Sequence, residues 1–184
     1  MNQTEPRSGW GGAIKEWLTS IITVFIVTFA LYTWLGAPYV VYGESMQSTL
    51  QNNEKVVVNK AVYRLHEPQR GEIVVFHANQ KEDYIKRVIA IAGDRVEMRN
   101  DQLFINGKSV EEPYLEEQKK KAHAEGKKVT EDFPPVTVEA GYIFVMGDNR
   151  QNSKDSRMIG PVPITQVVGR ADFVYWPLSN VRSP

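Results

Sequence analysis

The sequence predicts a mainly β protein, an antiparallel sheet or barrel, carried behind a single N-terminal transmembrane helix. Three observations predict it: one long uncharged apolar run near the start, short β-branched runs after Pro38 separated by turn signals, and no further helical period except around residues 115–124. The 184 residues suffice for one compact domain with a small appendage. The 22 basic and 22 acidic side chains cancel, which disfavours a broad nucleic-acid-binding surface. With no cysteine, there is no disulfide framework, thiolate nucleophile or sulfur-based zinc site.

The apolar run comes first. No charge occurs between Trp17 and Gly43, 27 residues, and 14 of the 19 residues from Trp17 to Leu35 are apolar. As a helix, those 19 residues rise roughly 28 Å, close to the ~30 Å of a bilayer core. The hydroxyls of Thr19, Ser20, Thr23, Thr28 and Thr33 can bond back to helix carbonyls, and Trp17, Tyr32 and Trp34 resemble an interfacial aromatic belt. Two other readings compete. A buried core helix is rarely so long and uncharged, and a cleaved leader normally has a shorter apolar core, while here Pro38 follows the one plausible cleavage site. An uncleaved anchor over residues 17–35 is expected. Arg7, Lys15 and the amino group precede it and the first later cation is Lys55, so the expected orientation has residues 1–16 in the cytoplasm and residues 36–184 outside.

Strands are expected at residues 54–59, 72–77, 83–91, 102–105, 142–146 and 167–176. Asn106-Gly107 after the fourth is a hairpin signal, since both residues accept positive φ. The lysine- and acid-rich stretch from Glu116 to Asp132 reads as a solvated loop or short exposed helix, and residues from about 100 to 140 as an excursion from the main body.

Three clusters can carry chemistry. Ser45, in Gly43-Glu44-Ser45-Met46, lies ten residues past Leu35, within about 33 Å of the bilayer even if fully extended. A serine in such a loop is otherwise a turn or cap residue. Lys86 shares a strand face with Tyr84, Val88 and Ala90, and burial among them would lower its pKa; the other reading is an edge lysine with its ammonium in water. Gly147 to Arg157 concentrates polar side chains after an apolar strand, without the acidic alternation of a calcium loop. A serine nucleophile needs a base, and none of His66, His77 and His123 sits in a constellation like these. Serine with lysine is the remaining pairing, with Ser153 a candidate to orient the amine.

Ser45-Met46 before Thr49-Leu50, then Tyr84-Ile85-Lys86-Arg87-Val88-Ile89, Gly93-Asp94, and Gly147-Asp148-Asn149-Arg150 with Asn152-Ser153 and Asp155-Ser156-Arg157, resemble the boxes of the bacterial type I signal peptidases, those of Gram-positive organisms in particular. The likeness covers the anchor and nearly all the chain beyond it. It implies a serine endopeptidase at the outer face of the cytoplasmic membrane that removes signal peptides from exported preproteins, without metal or other cofactor. Ser45 would attack, Lys86 would act as general base and Ser153 would orient it. Asp155 and Arg157 would form an ion pair with Asp148 in the same network, and the Ser45 N–H would serve the oxyanion. The substrate would add as a strand alongside Tyr39, Val40, Val41, Tyr42 and Gly43 and alongside Asp83, Tyr84 and Ile85, with small side chains at the first and third positions before the cut. The sequence departs from the family at Gly43, where some relatives carry a hydroxyl, at Ser48, where proline is frequent, and at Ala92. The departures at Ser48 and Ala92 are expected to loosen loops. Self-cleaving repressor peptidases share the chemistry but are soluble and carry a DNA-binding domain. The alternative from another class is a catalytically silent, membrane-tethered β domain that binds exported chains.

Overall fold

The computed structural model describes residues 10–34 and 36–184. Residues 1–9 of the expected N-terminal segment, Leu35 at the expected end of the span, and the side chains of Tyr32 and Trp34 lie outside the described residues. Helix α1 runs Trp10–Trp34, so it begins before the uncharged run and includes Lys15 and Glu16. Three of the hydroxyls bond back to the preceding turn, Thr19 Oγ1 donating to Lys15 O at 2.7 Å, Ser20 Oγ to Glu16 O at 2.9 Å and Thr23 Oγ1 to Thr19 O at 2.8 Å, while the Thr33 side chain lies outside the described residues. None of the residues from Gly12 to Phe29 is buried against protein. That removes the core-helix reading, because an apolar helix exposed all round needs a nonaqueous solvent, consistent with a membrane anchor.

The β body contains eleven strands. They are β1 (Ala37–Val40), β2 (Lys55–Asn59), β3 (Ile73–His77), β4 (Asp83–Ile91), β5 (Arg95–Arg99), β6 (Gln102–Ile105), β7 (Lys108–Val110), β8 (Phe133–Thr137), β9 (Tyr142–Met146), β10 (Val162–Pro163) and β11 (Val167–Trp176). Every expected strand is present. Seven strands form a curled half-barrel in the order β1-β2-β11-β3-β4-β9-β10, and four form a second sheet, β7-β6-β5-β8; all pairings are antiparallel. Curling buries both faces of the central strands. Thus Ile73, Val74, Val75 and Phe76 of β3 are all buried, which an alternating pattern would not give. The register between β4 and β9 shifts between Val88 and Ala90, a bulge that bends β4 just beyond Lys86 and Arg87.

Asn106-Gly107 makes the expected hairpin, with φ of 54° and 76°. The excursion is more than a loop: β5 to β8 make a sheet whose Val96, Met98, Leu103 and Ile105 pack against Ile89, Phe144 and Met146 of the main sheet. Helix α2 (Glu116–Ala124) has no buried residue, as expected of a charged surface helix. Val129 and Thr130 after it are buried, however, because the Asp101 carboxylate accepts both of their N–H groups, at 3.1 and 2.8 Å. Reading residues 116–132 as wholly solvated is therefore corrected.

Candidate active site

The turn between β1 and β2 carries Ser45. It closes through Thr49 N–H and Leu50 N–H, which donate to Met46 O at 3.0 and 2.8 Å, and the side chains of Met46 and Leu50 bury completely beneath it. Gly43 enters the turn at φ +87°, and its N–H donates to Asn52 Oδ1 at 3.0 Å. The loop after β9 clamps the turn: Asn149 N–H donates to Ser45 O at 2.9 Å and Asn149 Nδ2 to Glu44 O at 3.0 Å. This close approach demands glycine at 147, where a Cβ would collide with the Ser45 carbonyl and the Ser153 side chain.

Strand β4 brings Lys86 to the serine. Lys86 Nζ lies 2.8 Å from Ser45 Oγ and donates to Ile85 O at 2.9 Å. The residue is 4% exposed, and burial pushes its pKa down to about 8 although Asp155 and Asp148 pull it upward. Arg87, the next residue, faces the other way and is also buried, which its charge in the sequence did not announce. Its guanidinium forks onto Asp148 at 3.0 and 2.7 Å and stacks 4.1 Å from the Tyr114 ring centre.

The expected polar network is therefore two networks. Asp155 accepts from Arg157 at 2.8 Å on each oxygen and from Gly147 N–H at 3.0 Å; burial would raise its pKa, but Arg157 and that N–H hold it below the usual carboxylate range. Asp148 belongs instead with Arg87 and with Thr49, whose Oγ1 donates to it at 2.5 Å. The Ser153 hydroxyl, expected on Lys86, is buried beside Gly147 and makes no hydrogen bond to Lys86; it helps instead to hold the Asp155 carboxyl low. His77 and His123 do sit against carboxylates, Asp83 at 2.6 Å and Asp101 at 2.8 Å, contrary to expectation; neither bonds Ser45 or Lys86.

Sequence reasoning missed the support that the excursion supplies. Glu112 and Tyr114 reach beneath the loop, where Arg150 Nη2 donates to Glu112 Oε1 at 2.6 Å and to Tyr114 Oη at 3.2 Å, while Arg150 Nε donates to Gly147 O at 2.9 Å. From α2, Gln118 Nε2 donates to Ser48 Oγ at 2.9 Å. Ser48 sits at φ +82°, closed to proline, so in this chain the turn is fastened rather than loosened there. The density of charge in residues 147–157 was the available signal for Arg150; Glu112 lay hidden among many other acids.

A cleft of about 210 Å³ opens at Ser45. Tyr39, Val40, Val41 and Tyr42 form one wall and Asp83, Tyr84, Ile85 and Lys86 the other; Gly43 does not line it, whereas Val56, Val75 and Lys154 do. β1 ends the sheet, and β9 joins β4 only from Arg87 onward, so both walls present backbone edges with no strand beside them. Among the described residues no group of three or more metal-ligating side chains gathers.

A serine hydroxyl without histidine but with a desolvated amine in hydrogen-bond reach defines a hydrolase of the serine–lysine class. The family model described as signal peptidase, peptidase S26, matches residues 14–176, and the chain belongs to that family. It is 43% identical to signal peptidase I of Bacillus amyloliquefaciens over 183 residues, covering 99% of this chain and 98% of the relative. It is 40% identical to signal peptidase IB of Staphylococcus aureus strain COL, over 92% of this chain and 93% of that one. A crystal structure of a signal peptidase I from Enterococcus faecalis V583 superposes with a TM-score of 0.52 at 37% identity, covering 56% of this chain and 96% of that one.

Proposed function

We propose that Ser45 is the nucleophile and Lys86 the general base of a membrane-anchored serine endopeptidase. The chain is a type I signal peptidase, acting on preproteins that bear signal peptides. The observation that carries the assignment of residues is the 2.8 Å approach of Ser45 Oγ to a buried amine. At a pKa of about 8, roughly a tenth of the amine is neutral at pH 7. The neutral amine takes the hydroxyl proton as Oγ attacks the scissile carbonyl, then returns it to the departing amine; water deacylates the serine with the same base. The Ser45 N–H donates to no described group, which leaves it for the oxyanion, and Gly43 supplies no hydroxyl there. Asp155, Arg157 and Asp148 hold the surrounding frame.

An extended substrate adds between the two free edges, and the cleft's size favours small side chains next to the cut, being below the roughly 300–1,000 Å³ of drug-sized pockets. Helix α1 spans the membrane with residues 1–16 inside and the catalytic body, residues 36–184, outside, so only chains presented at the membrane surface reach Ser45. The chemistry calls on no cofactor or metal, and the neutral charge gives no nucleic-acid surface. The test is cleavage of a labelled preprotein by the detergent-solubilised protein and by folded Ser45→Ala. Cutting after a small residue by the wild type alone is expected; equal cutting by both removes Ser45 as nucleophile.

A further inference from the structure

The turn that carries Ser45 is gripped from a third direction, far along the chain. After β11 the backbone folds back and pairs again, Val174 N–H donating to Arg182 O at 2.8 Å and Arg182 N–H to Val174 O at 3.2 Å. This fixes the Arg182 side chain over residues 49–54. Nη2 donates to Thr49 O at 2.5 Å and to Glu54 Oε2 at 2.9 Å, and Nη1 donates to Glu54 Oε1 at 2.8 Å and to Asn180 O at 2.9 Å. Glu54 is 1% exposed, and its carboxylate also accepts Gln51 N–H at 2.9 Å and Asn180 Nδ2 at 3.2 Å. Its carbonyl receives Val41 N–H at 2.8 Å, the strand end that leads into the turn.

One guanidinium thus ties the residue that closes the turn, Thr49, to the residue that leaves it, Glu54. A fork of donors at fixed angles can hold a carbonyl and both carboxylate oxygens at once, which an ammonium cannot. The closing hydrogen bonds of Thr49 and Leu50 run to Met46 O, one residue from Ser45. Freeing the Thr49 carbonyl therefore loosens the closure next to the nucleophile.

We infer that Arg182 is a positioning residue for the reaction, setting the nucleophile turn through Thr49 and Glu54 without touching substrate. The inference rests on Ser45 being the nucleophile. A displacement of about 1 Å at a reacting group can cost about a hundredfold in rate, so partial loosening is expected to lower kcat by roughly tenfold.

The experiment compares wild type, Arg182→Lys and Arg182→Gln in detergent, at a temperature where melting curves show each fully folded. Expected are a kcat lowered about tenfold in Arg182→Gln and severalfold in Arg182→Lys, KM within about twofold of wild type, and an unmoved acid limb of the pH profile, since Lys86 has no contact with Arg182. A role in stability alone lowers the melting temperature and leaves kcat at its wild-type value; that result overturns the inference. If Arg182→Gln does not fold, Arg182→Lys decides, because its ammonium still neutralises Glu54. Ser45→Ala is run alongside. Activity retained in Ser45→Ala sinks the nucleophile assignment itself, whatever the Arg182 variants do.

Discussion

In the proposed mechanism Lys86 takes a proton from Ser45 only while its own amine is neutral, so activity is expected to rise with pH through the Lys86 pKa. A pH profile of kcat/KM is expected to show an acid limb near pH 8. Asp155 and Asp148 favour the ammonium and so hold that limb higher than burial alone would. Asp155→Asn removes one of these charges; the amine then loses its proton more easily, and the limb moves to lower pH in whatever fraction stays folded. A limb that stayed put or rose would show that Asp155 does not face the base electrostatically. Lys86→Met, which keeps the apolar stem and removes the amine, is expected to abolish cleavage with an unchanged circular dichroism spectrum. The pairing of Ser45 with Lys86 in space was legible because a serine without a histidine leaves few bases. Where the Ser153 hydroxyl points was not legible, and the bond expected from it to Lys86 is not made, since the rotamer of one buried hydroxyl depends on packing that no sequence pattern encodes.

Among the elements, the turn of residues 43–50 and the loop of residues 147–157 interlock through backbone as much as through side chains, which makes Gly147 unforgiving. Gly147→Ala is expected to abolish activity, because its methyl group needs the space of the Ser45 carbonyl. Full activity in that variant would mean that the two segments part readily. Strands with β-branched runs and turn signals were readable. β8 was not, since its Pro134 and Pro135 argue against a strand; it forms as the end strand of the second sheet, paired only with β5. Nor could spacing alone show that residue 112 lies under residue 150. Breaking that pair strands a fully buried guanidinium, so Glu112→Ala is expected to cost about 3–5 kcal/mol in denaturant unfolding. Glu116→Ala, losing an exposed pair with Lys120, is expected to leave the melting curve unchanged.

The whole molecule divides its work between a helix with nothing buried against protein over residues 12–29 and a body with three apolar clusters, all of which take in residues of β4. Placing a charge at the middle of the helix costs about 2.5–3.5 kcal/mol of insertion. The double substitution Val24→Arg with Ile26→Arg is expected to shift the protein from the membrane to the soluble fraction of a cell lysate while purified protein keeps its β-sheet spectrum. Retention in the membrane fraction would place the attachment elsewhere. The anchor and the β character were plain from composition and periodicity. The curl that folds one sheet around a cleft was not, because it depends on strand order, and β11 pairs between β2 and β3, with partners 91 to 121 positions earlier in the chain.

The clamp of Asn149 on the serine turn also sets an order in time. Glu44 and Asn149 are 105 positions apart, so a chain leaving the ribosome N-terminus first carries its serine long before the loop that seats it. At ordinary synthesis rates that interval lasts on the order of 5–20 s. During it the anchor can insert while the nearby hydroxyl is still unarmed, and cutting power arrives only when the body behind it has closed.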